Sequence, residues 1–513
     1  MRHGRGQRSS KKAKRMGKRR SFAAWKRERK SAIELIVCLF PLQPRDSQTE
    51  FFALVAAKLI QMGADDIAIH ARLTVVPGKP SPAGKVHKLS YLDHLMQKNY
   101  LRALYYYNTS SVKDRSNLLS FLKETLCKAL SVYPLFAGRL QKREDGLWEV
   151  KLNDAGVRIY EATCGLSMQE FFAKCFYSQL ESELCRHEIN SDHTITPVAV
   201  MQLTEFSCGN LAMGFSWHHA VGDAMCGTLF MKAWSETHRA VQILHPPFFH
   251  PSSLRPRPQS NPEVRCREYY ASAFFNKEKE VGDAPEDHRS LTLSFSHEAV
   301  EQLISEVQNG SCKYGPPTPA DVLAAMLWVA VCRAQGKAKS DVAKASLCLE
   351  FRKIHLPPLP FGYVGNAQHY AQLSCPMKMQ EGNDLSHVAS IINESGGMVD
   401  TEEVKSVIDL VQEMQDQGKD LLRDPPFFYS DGLTIAIFDH FFCNEIDFGF
   451  GKPVRVAYFV QPVKGEGHII IAPGPEGKSS RNVAVVLPKD VMEKLLKDSE
   501  LVRFLPELQA CNQ

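Results

Sequence analysis

The stretch Leu211 to Trp234, LAMGFSWHHAVGDAMCGTLFMKAW, changes its periodicity midway, and that change fixes one unit of the fold. From Leu211 to Trp217 apolar residues alternate, with Leu211, Met213, Phe215 and Trp217 on one face, the signature of a half-buried strand. From Met225 onward Leu229, Met231 and Trp234 recur at helical spacing and mark a core-facing helix. His218, His219 and Asp223 therefore fall in the turn and the first helical residues, where a rigid scaffold can project a side chain into a cavity.

His219 and Asp223 are separated by three residues, so their side chains share one side if the helix has already begun. Paired histidines ahead of a helix also occur as ordinary packing residues. A zinc site needs a further His, Cys or carboxylate in a ligand pattern, and none stands out nearby. Cys226 beside His219 permits a Cys-His nucleophile, but it falls among helical core positions, where small buried cysteines are common. Far downstream, DFGFG from Asp447 to Gly451, followed by Pro453, reads by itself as a tight turn.

Together, HHAVGDA and DFGFG resemble the paired HxxxD and DFGWG signatures of the plant BAHD acyltransferases. PSPAGKVHKLSYLDHL, LKETLCKALSVYPLFAGRL and EFRKIHLPPLPFGYVGNA resemble family segments in the same order, so the similarity runs from about Ile67 to about Glu507. The resemblance implies an α/β fold: two similar mixed-sheet domains of the coenzyme A-dependent, chloramphenicol acetyltransferase-like type, with the active-site channel between them. It implies acyl transfer from an acyl-CoA thioester to a small-molecule alcohol or amine, with no permanently bound cofactor and no metal.

By the same resemblance His219 is the general base that takes the acceptor proton, a task suited to a neutral imidazole. No acyl-enzyme is required, because the thiolate already leaves well and positioning of donor, acceptor and base supplies much of the rate. Asp223 is expected to turn away and pair with Arg352, and Asp447, Gly449 and Gly451 to shape the fold rather than touch substrate. The chain departs from the family pattern at several positions. Phe450 stands for tryptophan, Ala224 for glycine, and Ile354 for a second arginine. Ala436, Ile437 and Phe438 occupy a stretch that usually carries hydroxyl and indole donors, and one lost oxyanion donor costs about 10²–10³ in turnover.

A chain of 513 residues exceeds the usual span of one hydrophobic core. The expected organisation is an N-terminal acyltransferase domain over 62–244, a proline-rich crossover over 245–264, and a C-terminal acyltransferase domain over 265–513. Helices are expected near Thr318 to Ala334 and Glu402 to Leu422, and strands near Val454 to Val460 and Asn482 to Leu487, a mixture that indicates α/β layers. Residues 1–30 hold fourteen Lys or Arg and one acid, Glu28, a net +13; the whole chain is +5, so the remainder sums to −8. The basic character is thus a property of residues 1–61, read as a disordered extension or an upstream reading-frame product in preference to a nucleic-acid module.

Fourteen cysteines without a CxxC pair point to a reducing compartment. With no secretory signal, the triplets at Asn108, Asn309 and Asn393 are read as accidental. Leu35 to Leu42 is too short to span a bilayer, so no transmembrane segment is expected; a cytoplasmic location is expected, and the resemblance implies a monomer. Two further functions stay open beside the transferase. One is a non-catalytic protein of the same fold that binds acyl-CoA or assists a partner enzyme, since part of LSYLDHLMQKNYLRALYYY resembles the wax-related members. The other is a nucleic-acid or membrane interaction through the basic tail. Donor and acceptor, which in this family range over hydroxycinnamoyl, acetyl, benzoyl and long-chain acyl groups, are set by loops distant in sequence.

Overall fold

The computed structural model describes residues 67–175, 180–186, 195–249, 254–258, 270, 287–307, 315–337, 341–376, 385–425, 432–463 and 465–505. The tail at 1–61 and part of the crossover at 245–264 lie outside these residues. The first half contributes strands β1 (Ile67–Val75), β2 (Val86–Lys88), β3 (Tyr100–Tyr107), β4 (Arg139–Lys142), β5 (Trp148–Lys151), β6 (Val157–Cys164), β7 (Ile195–Pro197), β8 (Ala199–Phe206) and β9 (Leu211–His218). The second contributes β10 (His288–Phe295), β11 (Val342–Glu350), β12 (Gln368–Pro376), β13 (Leu433–Ile437), β14 (Arg455–Gln461), β15 (Gly467–Pro473) and β16 (Arg481–Pro488).

These strands form two six-stranded mixed sheets, ordered β1-β6-β8-β9-β3-β14 and β10-β16-β15-β13-β11-β12, with a small four-stranded sheet β2-β5-β4-β7 beside the first. Mixed sheets flanked by helices in both halves are the α/β architecture expected from the sequence. One strand crosses over. β14 lies within the range expected for the C-terminal domain, yet it pairs antiparallel with β3, from Arg455 opposite Tyr106 to Gln461 opposite Tyr100. The edge of the first sheet is thereby covered by the second half of the chain, which leaves fewer backbone groups without a partner.

Strand β9 is buried along all eight residues rather than on alternate ones, because both of its faces are covered. The helix that follows, Ala224–His238, packs on it through Gly227, where an added Cβ would lie 2.4 Å from the Trp217 ring. The helix Pro319–Gln335 starts on a capping box between Thr318 and Asp321 and ends at Gly336, whose φ is +71°. The helix expected to reach Leu422 stops at Asp416, and Leu421 and Leu422 are buried beyond it in a turn. Polar contacts tie the halves together between the sheets. Glu181 accepts from Tyr106 at 3.0 Å and from Thr292 at 2.8 Å, and the Tyr105 and Tyr458 hydroxyls meet at 3.2 Å.

Candidate active site

His218 closes β9, and His219–Val221 form one 3-10 turn before Asp223 caps the following helix. The Asp223 carboxylate accepts from the Cys226 amide at 2.9 Å, satisfying a backbone donor that a helix N-terminus otherwise leaves unpaired. That role turns Asp223 into the second half of the chain. Arg352 donates to its two oxygens at 2.8 and 3.0 Å, and the Ala367 amide donates at 2.8 Å. Asp223 and Arg352 are each only 1% exposed, so the pair is shielded from solvent.

Arg352 also donates to Glu350 at 2.9 Å and to the carbonyls of Tyr363 and Gly365 at 3.1 and 3.2 Å. Burial works against the guanidinium charge, but Asp223 and Glu350 outweigh it and hold the Arg352 pKa above its usual value. A buried guanidinium paired with two carboxylates through its terminal nitrogens ties the helix cap to the second half of the chain.

His219 is fully buried and separate from that pair. Its amide donates to the Asn99 carbonyl at 2.9 Å, and its own carbonyl accepts from the Asn366 side chain at 2.8 Å. Asn366 is in turn gripped by Asp93, whose carboxylate accepts from both the amide and the side chain of Asn366 at 2.8 Å. Asp93 reaches this position through a capping box with Ser90 on the short helix Tyr91–Leu95. Two distant segments, 93–99 and the one around Asn366, thus hold the His219 backbone. Burial pushes the His219 pKa down to about 4, with Asp223 and hydrogen bonds opposing it, so the imidazole is neutral near pH 7.

Neither Asp93 nor Asn366 carries an individual signal in the sequence. Both lie within segments that drew attention, LSYLDHL and GYVGNA, but their meeting depends on a separation of 273 residues. Cys226 is a fully buried thiol whose pKa burial raises, a setting that disfavours the thiolate a nucleophile needs. Among the described residues no group of three or more His, Cys, Asp or Glu is placed to hold a metal ion, and no helix is long and apolar enough to cross a membrane.

The DFGFG turn is positioned by its own aspartate. Asp447 accepts from the amides of Gly449 at 2.7 Å and Gly451 at 3.0 Å, in a turn where Gly449 adopts φ +93°. Phe448 and Phe450 stack on each other and meet Tyr107 edge-on, while Phe448 also packs against Trp234. Trp234 is eleven residues beyond the cap, so this turn braces the helix about three turns from His219. Ala436 and Phe438 are buried, and Phe438 stacks on Phe441 at 4.3 Å and meets Tyr458 edge-on. Aromatic packing fills the stretch where the sequence lacks hydroxyl and indole donors.

A profile of the transferase family matches residues 66–502. The hydroxycinnamoyltransferase of Narcissus pseudonarcissus is 27% identical over 84% of this chain and 98% of its own length. Protein ECERIFERUM 26-like of Arabidopsis thaliana is 25% identical over 82% of this chain and 92% of its own. Among solved structures, that of F. graminearum TRI101 complexed with coenzyme A and T-2 mycotoxin superimposes with a TM-score of 0.64 at 14% identity, covering 82% of this chain and 99% of that one.

Proposed function

The chain belongs to the transferase family of BAHD acyltransferases, and from that premise we propose that it moves an acyl group from a coenzyme A thioester to a small alcohol or amine with His219 as general base. The observation that carries the base assignment is a fully buried, neutral imidazole whose backbone is held from both halves of the chain by Asn99 and Asn366.

The acceptor O–H or N–H gives its proton to the imidazole as its oxygen or nitrogen attacks the thioester carbonyl. The tetrahedral intermediate collapses with cleavage of the C–S bond, and the departing thiolate takes the proton back from the imidazolium. With its pKa near 4 the charged imidazole is costly in this buried place, which favours prompt return of the proton to sulfur. Asp223 and Arg352 keep the two halves in register. Asp447, Gly449 and Gly451 hold the turn that braces the helix Ala224–His238. The fourteen scattered cysteines without a CxxC pair are in keeping with a reducing compartment, and a cytoplasmic location is part of the proposal.

The names of several relatives put hydroxycinnamoyl thioesters first in a donor panel, followed by acetyl, benzoyl and long-chain thioesters. Mass spectrometry of reactions with mixed alcohols and amines tests the proposal. An acceptor product heavier by one acyl group, formed in step with free coenzyme A, is the expected result. Hydrolysis alone, or no reaction by folded protein, would count against it. A second reading, an acyl-CoA-binding protein without turnover, draws on the apolar Ala436–Phe438 stretch and the likeness to the ECERIFERUM 26-like protein. Thioester binding without product formation distinguishes it.

A further inference from the structure

The wall that the second half turns towards the first can be located from strand register together with the contacts at its two ends. Residues Cys348, Ala436, Ile470, Ala484 and Thr292 sit opposite one another across β11, β13, β15, β16 and β10, so their side chains share one face of that sheet. Both ends of this row face the first half of the chain. Cys348 feels the charge of Asp223, and Thr292 donates to Glu181. Leu347 and Leu349, the neighbours of Cys348 on the alternate face, instead approach Gly396 on the helix Leu385–Gly397.

Two residues along each strand the face repeats, and the next row reads Ser346, Thr434, His468, Val486 and Ser290. His468 therefore points into the space between the halves. It is buried, as are its row neighbours Ser346, Thr434 and Val486. Ala436, Ile470 and Ala484 of the adjoining row make the rest of this wall largely apolar. Burial, and after it the nearby His219, push the His468 pKa down to about 3. Two imidazoles from opposite halves are thus within electrostatic reach of each other, and both are neutral near pH 7.

We propose that His468 is a second catalytic imidazole of this site, donating a hydrogen bond to the thioester carbonyl oxygen as that oxygen becomes negative. The inference rests on the acyl-transfer reading and gives it a donor from the wall opposite the base. The acceptor proton passes to His219 and then to sulfur, and the carbonyl π pair moves onto oxygen and back. His468 keeps its own proton throughout, so it adds no step to the balance. Neutrality suits the role, because a neutral imidazole carries one N–H to donate and does not repel the imidazolium forming at His219.

The test compares His468→Leu, His468→Phe and His468→Gln with the unaltered chain and with His219→Ala, reading kcat, KM, coenzyme A affinity and thermal unfolding. Loss of a single oxyanion donor lowers turnover by about 10²-fold or more, so kcat of the folded Leu or Phe variant is expected to fall by that order. KM and coenzyme A affinity should stay within a few fold, and His468→Gln, which retains an N–H, should recover part of kcat. A purely structural imidazole would lower stability without that pattern. Folded Leu or Phe protein with unchanged kcat, or a Gln variant no better than the apolar ones, overturns the assignment while leaving acyl transfer intact. Absence of acceptor-dependent thiol release from the unaltered chain would overturn both.

Discussion

At the scale of single residues the chemistry turns on how burial sets His219. With its pKa lowered to about 4, chiefly by removal from water, the base stays deprotonated far below the ordinary histidine range. The acid limb of kcat/KM, which reports the free enzyme's base, is therefore expected near pH 4. The rate should stay level from neutrality down to about pH 5.5, and a half-maximal point near 6.5, the unperturbed value for histidine, would contradict this picture of the site. His219 was singled out by the family resemblance of HHAVGDA, the change from strand to helical period serving only to place it in a turn. His468 was not, since it is a single polar residue inside the strand GHIIIAP and its meaning comes only from the register of five strands.

At the scale of elements the Asp223–Arg352 pair joins the cap of one helix to the segment after β11. Arg352→Met strips a fully buried carboxylate of its cation and also leaves Glu350 without it, so a loss of about 3–5 kcal/mol is expected in urea unfolding. Asp223→Asn should cost less, because Glu350 stays with the guanidinium. The double variant should cost less than the two singles added, as for any directly coupled pair. Strict additivity would mean that the contact contributes nothing. Family segments on either side of the chain signalled both residues in advance. The network of Asp93 and Asn366 that fixes the His219 backbone arises instead from distant segments whose meeting no local pattern encodes.

At the scale of the whole molecule, buried histidines such as His94, His218, His219 and His468 make the fold sensitive to acid. Burial is the leading cause in each: it takes His94 and His219 to about 4, and His218 and His468 to about 3, against an ordinary value of 6.5. Below pH 6.5 the unfolded chain takes up these protons while the folded protein does not, so stability declines as pH falls towards 4. Asp93 and Asp321, raised by burial, act in the opposite direction but are fewer. The melting temperature is expected to drop steadily between pH 7 and 5, and a flat or rising profile would contradict the burial of these imidazoles. Alternating helices and strands made the α/β architecture readable from periodicity. The crossing of β14 into the first sheet was not readable, because a strand's own pattern does not name its neighbour.

Acyl transfer with His219 as its base stands or falls on acceptor-dependent release of free thiol from acyl-CoA, compared between the unaltered chain and His219→Ala. Release is expected from the former and a loss on the order of 10²–10⁴-fold in the latter, with coenzyme A affinity unchanged. Equal release from both proteins would contradict it.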